Sequence, residues 1–498
     1  MKENNKVSRR QFLGTSAAAA AAISIVPSNT IAGLGHRAPS DKLNIAGIGI
    51  GGMGHGNIKN LKSENIVGLC DVDWKYSERT FNEFPGAKKY KDWRVMYDEL
   101  GKSIDGVVIA TADHTHAIIA AHAITLGKHV YCQKPLTHTV YESRLLTKLA
   151  AKYQVATQMG NQGSSQEGVN LTCEWIANGE IGEITKVEAF TDRPIWPQGL
   201  NTPKNGQWVP ETLDWDLFIG PAKKRMYNEI YHPWNWRGWW DFGTGALGDM
   251  ACHILHPVFT GLKLGYPIHA QGNSTMLLTD CAPTAQSVCL TFPERVKPKD
   301  FKIKLPKVDV YWYDGGIKPM LPEGWPDGRD PNDSGGCVIF HGTKGKLICG
   351  CYGVNPWILR PDGTEAKPEN APKFRRRVEL SHEMDWVRAA KESPATRQKT
   401  ASDFSEAGPF NEMVVMGVLA VRLQSLDKVL NWDGPKMEFT NLKDTEVIKT
   451  VLEDKFEIHD GHPTFNKTYT DPVNAKAYAA ELIKHTYRAP WSLPEMPA

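Results

Sequence analysis

The chain has 498 residues, more than one hydrophobic core usually supports, so two domains are expected. Its 58 basic and 56 acidic residues nearly balance and form no basic block, which argues against nucleic acid as a partner. Nine cysteines occur without a CxxC pair, so neither a zinc finger nor a planned set of disulfides is indicated. No apolar run reaches the roughly 18 residues of a membrane span.

The first residues have the pattern of an export signal. Arg9 and Arg10 precede an alanine-rich run over residues 17–26, which resembles a twin-arginine signal, and residues 30–32 offer a small-residue cleavage site. We therefore expect residues 1–33 to be removed and the protein to be periplasmic or otherwise exported. An ordinary alanine-rich helix with two coincidental arginines is the alternative. Because this route carries folded proteins, a cofactor bound in the cytoplasm would travel inside.

Short apolar runs then alternate with amphipathic stretches as far as about residue 161. The runs cover residues 43–48, 66–70, 106–110, 129–132 and 155–159, and helical spacing occurs over residues 115–126 and 140–153. Gly101 and Gly127 are placed to end helices just before strands. This alternation predicts a doubly wound parallel sheet, the α/β architecture of a Rossmann domain, over residues 41–161.

A glycine-rich turn follows the first apolar run. In the pattern GxGxxG, Gly49 permits the tight turn, Gly51 lets the backbone approach a pyrophosphate, and Gly54 lets helix and strand pack closely. Asp71 ends the next run about 20 residues further on, where a carboxylate accepts the ribose hydroxyls of NAD and repels the 2′-phosphate of NADP. We expect NAD, with NADP disfavoured by Asp71. The residues expected to hold it here are Gly49, Gly51, Gly52, Met53, Gly54 and Asp71.

Polar residues follow the later apolar runs, at the edge of the sheet where ligands bind in open α/β folds. The residues expected near the cofactor at this edge are Thr111, His114, Lys134, Pro135 and Asn161. Lys134 is suited to stabilise an alkoxide on a substrate carbon, although a surface lysine is the alternative, and Asn161 could reach cofactor or substrate. His114 and His116 form a His-x-His pair, but a metal needs more ligands, so we expect none.

After residue 161 the pattern becomes mixed. Helices are predicted over residues 167–178, 381–391 and 405–424, and β-type runs over 184–191, 269–278, 285–292, 337–341 and 346–351. Several of these runs alternate, which favours an α+β domain with an open, largely antiparallel sheet over residues 162–472. The Pro-, Asp- and Gly-rich residues 297–336 predict a surface insertion, and the tail over residues 473–498 is expected to be partly helical.

The segment 243–253 places a carboxylate and a histidine on one predicted helix. Asp249 and His253 are four residues apart and share a face, and His256 is three residues further on the same side. A carboxylate that orients a histidine makes a general acid or base that works near neutral pH. The alternative is a capped helix with a buried, satisfied histidine.

The glycine turn, Asp71, the Lys134-Pro135 pair and the pattern from Gly245 to Asp249 and His253 together resemble the Gfo/Idh/MocA oxidoreductases. The resemblance covers nearly all of the chain after the predicted export signal. It implies an N-terminal Rossmann domain and a C-terminal domain built on an open, largely antiparallel sheet, with activity on sugars or cyclitols. It also implies assembly into homo-oligomers through the outer face of that second sheet.

The same resemblance implies that Lys134, Asp249 and His253 carry catalysis and that Lys134 and Pro135 lie near the nicotinamide ring. The sequence departs from the family pattern at Gln133, where a glutamate is usual. It departs again at His256, which replaces an acid. The departure at Gln133 removes a charge near the lysine and puts in doubt any role of that carboxylate here.

Tryptophans point to the substrate class. Seven of the sixteen fall between Trp196 and Trp240, and this stretch leads directly into the predicted Asp249/His253 helix. Indole faces pack against the apolar C–H faces of sugars, while Arg and Asp form paired hydrogen bonds to hydroxyls. The expected substrate-binding residues are Arg193, Trp196, Trp236, Arg237, Asp249 and His253. For most of the tryptophans, a core or interface position is the alternative.

The leading hypothesis is an oxidoreductase that acts on a sugar or glycoside with a retained NAD. His253 would remove a hydroxyl proton while Asp249 orients it, Lys134 would steady the alkoxide, and hydride would pass to NAD⁺. The runner-up is a redox-neutral glycosidase, in which transient oxidation at C3 allows elimination of the aglycone, addition of water and return of the hydride. A non-catalytic sugar-binding protein is the third hypothesis.

Overall fold

The computed structural model describes residues 41–498, so the predicted export signal lies outside the described residues. A six-stranded, all-parallel sheet has the order β3-β2-β1-β4-β5-β6. Its strands are β1 (Asn44–Ile48), β2 (Asn65–Cys70), β3 (Lys88–Tyr90), β4 (Gly106–Ile109), β5 (His129–Gln133) and β6 (Thr157–Gly160). The expected doubly wound sheet is confirmed; the short edge strand β3 was not predicted.

Helices cover both faces of this sheet. They are α1 (Gly52–Asn60), α2 (Glu78–Glu83), α3 (Trp93–Leu100), α4 (Asp113–Thr125) and α5 (Val140–Tyr153). Alternate residues of β4 belong to different hydrophobic clusters, Val107 to one and Val108 to the other, as expected for a strand buried on both sides. At α5, the Thr139 side chain and the Glu142 carboxylate form a reciprocal capping box that sets where the helix begins.

The second sheet has ten strands in the order β14-β13-β12-β11-β7-β10-β9-β8-β15-β16. They are β7 (Ile184–Thr191), β8 (His269–Ser274), β9 (Gln286–Phe292), β10 (Val308–Tyr313), β11 (Gly336–Gly342), β12 (Gly345–Gly350), β13 (Trp357–Leu359), β14 (Glu365–Ala366), β15 (Leu430–Asp433) and β16 (Glu438–Phe439). Every pairing is antiparallel except that of β7 with β10. The open, largely antiparallel sheet is confirmed.

The prediction of a surface insertion over residues 297–336 is wrong for residues 308–313, which form a strand of the second sheet. Strand β10 lies at the centre of the second sheet, between β7 and β9. Its buried residues alternate, with Val308, Val310 and Trp312 on the covered face. The Pro- and Gly-rich flanks dominate the composition of the segment and hide this period-two pattern.

The helices that follow the first sheet are α6 (Glu167–Asn178), α7 (Trp215–Ile219), α8 (Gly245–Ile254), α9 (His256–Gly261), α10 (His382–Lys391), α11 (Phe404–Arg422) and α12 (Ala475–Ile483). Helix α11 packs on α5 on one side and on β8 and β9 on the other, so it joins the two layers. Helix α10 packs on the first sheet, where the buried Trp386 donates its indole N–H to the Ala156 carbonyl. The domain boundary expected at residue 161 therefore stays a prediction, because later segments of the chain, such as α10, pack on the first sheet.

Between α11 and α12 the chain forms two small sheets of two antiparallel strands each. Strand β17 (Val447–Ile448) pairs with β20 (Val473–Asn474), and β18 (Val451–His459) pairs with β19 (His462–Tyr469) as an exposed hairpin. After α12 the tail returns to the first layer, where the Trp491 and Trp93 ring centroids are 6.2 Å apart. Over residues 41–498, no helix combines the length and apolarity that crossing a membrane requires.

Candidate active site

The glycine turn lies at the carboxyl edge of the first sheet, where helix α1 packs closely against strand β1. Gly49 has a φ of +74°, a conformation that other residues rarely adopt. A Cβ on Gly54 would lie 1.9 Å from the Gly49 carbonyl oxygen, so helix α1 crosses β1 at a distance that only glycine allows. No side chain caps α1 at Gly51, which leaves the first amides of the helix available to an anion.

Asp71 joins this turn to the end of β2. Its Oδ2 accepts a hydrogen bond from the Ile50 amide at 2.8 Å, and its Oδ1 accepts one from the Asp73 amide at 2.9 Å. Burial raises the pKa of Asp71 to about 6, against the opposing effect of these two amide donors. Asp73 in turn lies 3.0 Å from Nε2 of His232, so the long loop before α8 is held against this strand end.

A cavity of about 310 Å³ begins at this turn and runs along the edge of the sheet. Of the residues singled out from the sequence, those that line it are Gly49, Gly51, Gly52, Met53, Asp71, Thr111, His114, Lys134, Trp236 and Arg237. The wall opposite the glycine turn includes Trp93, Leu217 and Trp491. The cavity thus brings the expected cofactor residues together with two of the expected substrate residues.

Lys134 and Asp249 form the polar centre beside this cavity. The Nζ atom of Lys134 lies 2.8 Å from Oδ1 of Asp249, and Nε of Arg237 lies 3.1 Å from the same oxygen. Burial by itself would raise the pKa of Asp249, but the charges of Lys134 and Arg237 overcome it and hold that pKa below its ordinary value. Asp249 is therefore a carboxylate at neutral pH.

His253 lies one turn further along α8 and is buried. Burial, together with the charge of Lys134, lowers the pKa of His253 to about 3, so the ring is neutral at neutral pH. Its Nδ1 atom has no hydrogen-bond partner among the described residues. The prediction that Asp249 orients His253 is therefore wrong: the Asp249 carboxylate is bonded to Lys134 and Arg237 instead.

His256 differs from expectation, whereas His114 lines the cavity as expected. His256 starts a separate helix, and its Nε2 lies 3.4 Å from Oε1 of Glu406, so it faces α11 rather than the side shared by Asp249 and His253. His114 does border the cavity, but Nε2 lies 3.0 Å from the Phe218 carbonyl oxygen and Nδ1 lies 3.3 Å from that of Phe242. These contacts tie α4 to the loop before α8.

The remaining predicted residues surround this centre at different depths. Asn161 is buried, and its Nδ2 donates to the Cys252 carbonyl at 3.4 Å. Pro135 presents its carbonyl to His116 Nδ1 at 2.8 Å. Neither residue is among those that line the cavity.

On the substrate side, an aromatic group surrounds Arg237. Its guanidinium lies 4.4 Å from the Trp236 ring centroid and 5.1 Å from that of Trp234. Trp196 packs edge-on against Trp234 at 5.7 Å. Arg193 pairs with the neighbouring Asp192 carboxylate and does not line the cavity.

Tyr352 was missed by the sequence reasoning. It follows β12, and its ring centroid is 4.6 Å from that of His253. Its φ of +64° is rare for a residue with a side chain, and such strain is concentrated at functional sites. A Cβ on Gly163 would lie 2.7 Å from the Tyr352 Cα, so a glycine makes room for this turn. No local motif marks Tyr352, because the contact joins two segments about a hundred residues apart.

A second missed group is the network behind Lys134. Gln133 Nε2 donates to Asn57 Oδ1 at 2.9 Å, and Asn57 Nδ2 donates to Glu383 Oε1 at 2.8 Å. A buried carboxylate is thus present behind β5 although Gln133 itself is neutral. It comes from α10, 250 residues later in the chain, and the sequence offers no signal for it.

The residues present fit a nicotinamide dinucleotide. The uncapped start of α1 suits a pyrophosphate, and the ring of Tyr76 packs against the backbone there, where a Cβ on Gly51 would lie 2.2 Å from its Cδ1. Asp71 lies at the end of β2, where the ribose is recognised in such folds. Lys134, Trp236 and Arg237 line the same cavity.

Two family models match the chain. One, described as the oxidoreductase family NAD-binding Rossmann fold, covers residues 43–161, and the other, described as the oxidoreductase family C-terminal alpha/beta domain, covers residues 180–294. This chain belongs to the Gfo/Idh/MocA oxidoreductase family. The expected resemblance is thereby confirmed, and the first sheet of this Gfo/Idh/MocA protein is an NAD-binding Rossmann fold.

Curated relatives of this family member carry names of sugar enzymes. It is 26% identical over 215 residues to glucose-6-phosphate 3-dehydrogenase from Bacillus subtilis (strain 168), covering 43% of this chain and 51% of the relative. It is 29% identical to levoglucosan dehydrogenase from Pseudarthrobacter phenanthrenivorans, covering 38% and 40%. A glycosyl hydrolase family 109 protein from Shewanella pealeana is 26% identical, covering 41% and 50%. The chain thus spans about half or less of the length of each.

Solved structures show the same two-layer fold. The WlbA dehydrogenase from Bordetella pertussis, solved with NADH and UDP-GlcNAcA, superposes with a TM-score of 0.52 at 15% identity, covering 79% of this chain and 99% of that one. Levoglucosan dehydrogenase in complex with NADH superposes with a TM-score of 0.51 at 16% identity, covering 78% and 99%. These similarities show that most of the chain shares the fold of these proteins.

Proposed function

We propose that this protein oxidises a hydroxyl group of a sugar or glycoside by hydride transfer to NAD⁺. The observation that carries the proposal is a neutral, buried His253 one helical turn from Asp249, whose carboxylate pairs with Lys134 on the wall of the cavity at the glycine turn, here called the dinucleotide cavity. The sugar dehydrogenase names of the relatives support the substrate class. So does the aromatic group around Arg237, because indole faces pack against sugar rings.

In this proposal each residue has a separate role. His253, neutral and with a free ring nitrogen, accepts the proton of the substrate hydroxyl. Lys134 donates a hydrogen bond to the oxygen as it gains negative charge. Asp249 positions Lys134 rather than His253, since its Oδ1 contacts Nζ. Bound NAD⁺ supplies the hydride acceptor.

We further propose NAD rather than NADP. The Asp71 carboxylate, with Asp73 two residues beyond it, would repel the additional phosphate on the adenosine ribose of NADP. Both carboxyl groups are already fixed by main-chain amides, so neither can turn away easily. A titration of the apoprotein with each dinucleotide tests this, and equal affinities would contradict it.

We also propose that the protein retains its cofactor, and the contacts of the C-terminal tail support this. Arg488 donates to the Gly220 carbonyl at 2.7 Å and to the Asp216 carbonyl at 2.8 Å, which fixes the end of α7 beside the cavity. Trp491 then lines the cavity wall and lies under the Arg94 guanidinium at 4.3 Å. A cofactor enclosed in this way suits a protein exported in folded form, and periplasmic export through residues 1–33 is part of the same proposal.

We also propose that the protein assembles as a homo-oligomer through the outer face of the second sheet. Partly exposed side chains on that face include Cys289, Tyr311 and Tyr313. Light scattering of the purified protein tests it, and a monomer at all concentrations would contradict it.

A redox-neutral glycoside hydrolysis is the second candidate, favoured by the relative named as a glycosyl hydrolase family 109 protein. One experiment separates the two. Purified protein with bound NAD is incubated with p-nitrophenyl glycosides and with free sugars, and absorbance at about 340 nm is followed together with nitrophenol release. Stable NADH without release supports the oxidoreductase. Release without net NADH supports the hydrolase, and neither signal with any sugar contradicts both.

A further inference from the structure

A second, larger cavity lies on the far side of His114 from the dinucleotide cavity. Its volume is about 1020 Å³, and the two cavities share His114 as a lining residue. Its walls come from the loop after α7, the C-terminal end of α11, helix α12 and the tail that follows. Neither the fold nor the proposed redox chemistry uses this space.

The carboxylates that line this cavity already have donors. Asp241 and Asp280 both lie against Arg225. Glu142 accepts from the Tyr487 hydroxyl at 2.7 Å, and Glu481 accepts from the Thr486 amide and hydroxyl. Each of these four carboxylates therefore already has at least one donor within the protein.

Three of the four cationic side chains of the lining form no ion pair with its four carboxylates. Lys223, Lys224 and Arg422 line the cavity, and none of the three forms an ion pair with a described carboxylate. The Arg422 guanidinium instead lies over the Trp240 ring at 5.2 Å and the Tyr478 ring at 5.8 Å. One Arg422 nitrogen donates to the Tyr478 hydroxyl at 3.4 Å, and the aromatic faces leave its other N–H donors available to an anion.

Two buried N–H donors without acceptors also favour an anionic ligand in this cavity. Trp240 is only 3% exposed, and its indole N–H has no acceptor among the described residues. Nε of Arg225, on the same wall, is also buried without a partner. A buried donor without an acceptor costs about 1–3 kcal/mol, so a ligand that brings acceptors is favoured here. The cations also lower the pKa of buried His485, after the larger effect of burial itself.

We propose that this cavity binds a small organic polyanion, whose phosphate or carboxylate groups are neutralised by Lys223, Lys224 and Arg422. The volume exceeds what a single phosphate ion needs, so the ligand carries a body of several carbon atoms as well as its charges. The proposal does not depend on the redox chemistry, because the charges and donors that carry it lie outside the dinucleotide cavity.

The test is calorimetric titration of the NAD-saturated protein with inorganic pyrophosphate and with citrate at constant ionic strength. Saturation with NAD keeps the probes away from the start of α1. We expect saturable binding of at least one probe, weakened at least tenfold in the double variant Lys223→Gln/Lys224→Gln. Both lysines are exposed, so this variant folds normally. The matched control is Lys102→Gln, which removes one exposed lysine remote from the cavity and should bind like the unmodified protein.

Arg422→Gln supplies an independent variant, and it should lose binding of the same probe. No saturable binding of either probe would overturn the proposal. So would equal affinity in the unmodified protein and the double-lysine variant, since binding would then reside elsewhere.

Discussion

The Nζ atom of Lys134 contacts Asp249 twice, at 2.8 Å from the carboxylate Oδ1 and at 3.0 Å from the main-chain carbonyl oxygen. Lys134 follows a strand of the first sheet, whereas Asp249 belongs to a helix that packs on the second. The contact therefore joins the two layers at the site where the substrate is expected. It also directs the lysine, because two acceptors on one residue restrict where its ammonium group lies.

Replacing that carboxylate should destabilise the protein. Asp249→Asn removes the negative charge that Lys134 and Arg237 share, and we expect the free energy of unfolding to fall by about 1–3 kcal/mol at pH 7. Because the folded-state pKa of Asp249 is depressed, its contribution is present above the unfolded pKa of about 3.9 and is lost as the pH falls below it. The difference between the two proteins in denaturant titrations should thus shrink progressively as the pH falls from about 4 towards the depressed folded-state pKa of Asp249; a constant difference would contradict this.

His253→Ala should abolish most of the activity while NAD still binds. Loss of a general base costs about 10²–10⁴-fold in rate. The Nδ1 atom makes no contact that the fold depends on, so NAD affinity measured by fluorescence titration should stay unchanged. His462→Ala, at an exposed position in the hairpin, is the control. Normal NADH formation by the His253 variant would show that another group accepts the proton.

The pH profile offers a separate test of the same residue. With a pKa of about 3, His253 remains neutral as the pH falls through 6.5, where an ordinary histidine gains its proton. The value of kcat/KM should therefore show no loss centred near pH 6.5 that depends on His253. An acid limb in that range that disappears in the His253→Gln variant, measured on its residual activity, would be inconsistent with a buried, neutral ring.

Tyr352→Phe should separate the hydroxyl of that tyrosine from its packing. The phenyl ring keeps the contact with His253, whose ring centroid is 4.6 Å away, but the hydroxyl is lost. If that hydroxyl binds the substrate, kcat/KM falls about tenfold, the value of one hydrogen bond, while NAD affinity is unaffected. Initial rates over a range of sugar concentrations measure this. An unchanged kcat/KM would assign Tyr352 a packing role only.

Two glycines of helix α1 allow a matched pair of substitutions. Gly54→Ala places a methyl group 1.9 Å from the Gly49 carbonyl, so α1 must move away, at a cost of about 1–3 kcal/mol and with loss of NAD binding. A Cβ on Gly56, two residues later, meets no atom within 4 Å, so Gly56→Ala should be neutral or stabilising by up to about 1 kcal/mol. Thermal unfolding and NAD titration check both; similar behaviour of the two variants would refute the steric argument.

The tail should control how fast the cofactor leaves. Trp491→Ala opens one wall of the dinucleotide cavity, and we expect NAD to dissociate at least tenfold faster in a displacement experiment. Trp208→Ala is the control, because Trp208 is 97% exposed and lies outside that cavity. Equal dissociation rates in the two variants would leave the proposed retention without its structural support.

Local signals in the sequence sufficed for much of the fold. Helix α5 was predicted from helical spacing over residues 140–153, and the structure confirms it with a Thr139/Glu142 capping box at its start. Strand β10 was not predicted, because the Pro- and Gly-rich residues on either side of it hide the alternation of its buried residues. Periodicity reports which face of an element is buried but not which distant segment covers it.

The same limit applies to the site. Lys134, Asp249 and Asp71 were found because each stands at a strand end or on a helix with a recognisable motif. Tyr352 was not, since its place beside His253 follows from how two distant segments meet. The role of Asp249 was misassigned for a related reason. Helical spacing places it on the face of His253, whereas the nearby cations decide its hydrogen bonds.

The cavity beside the glycine turn has walls from residues as far apart in the chain as Met53 and Trp491. A ligand that binds only the assembled cavity stabilises every segment that forms it, by about 2.7 kcal/mol at a hundredfold excess over its Kd. Bound dinucleotide would thus fasten the tail and the loop before α8 onto the first sheet. The same molecule that takes up the hydride would then also serve as a structural part of the folded protein.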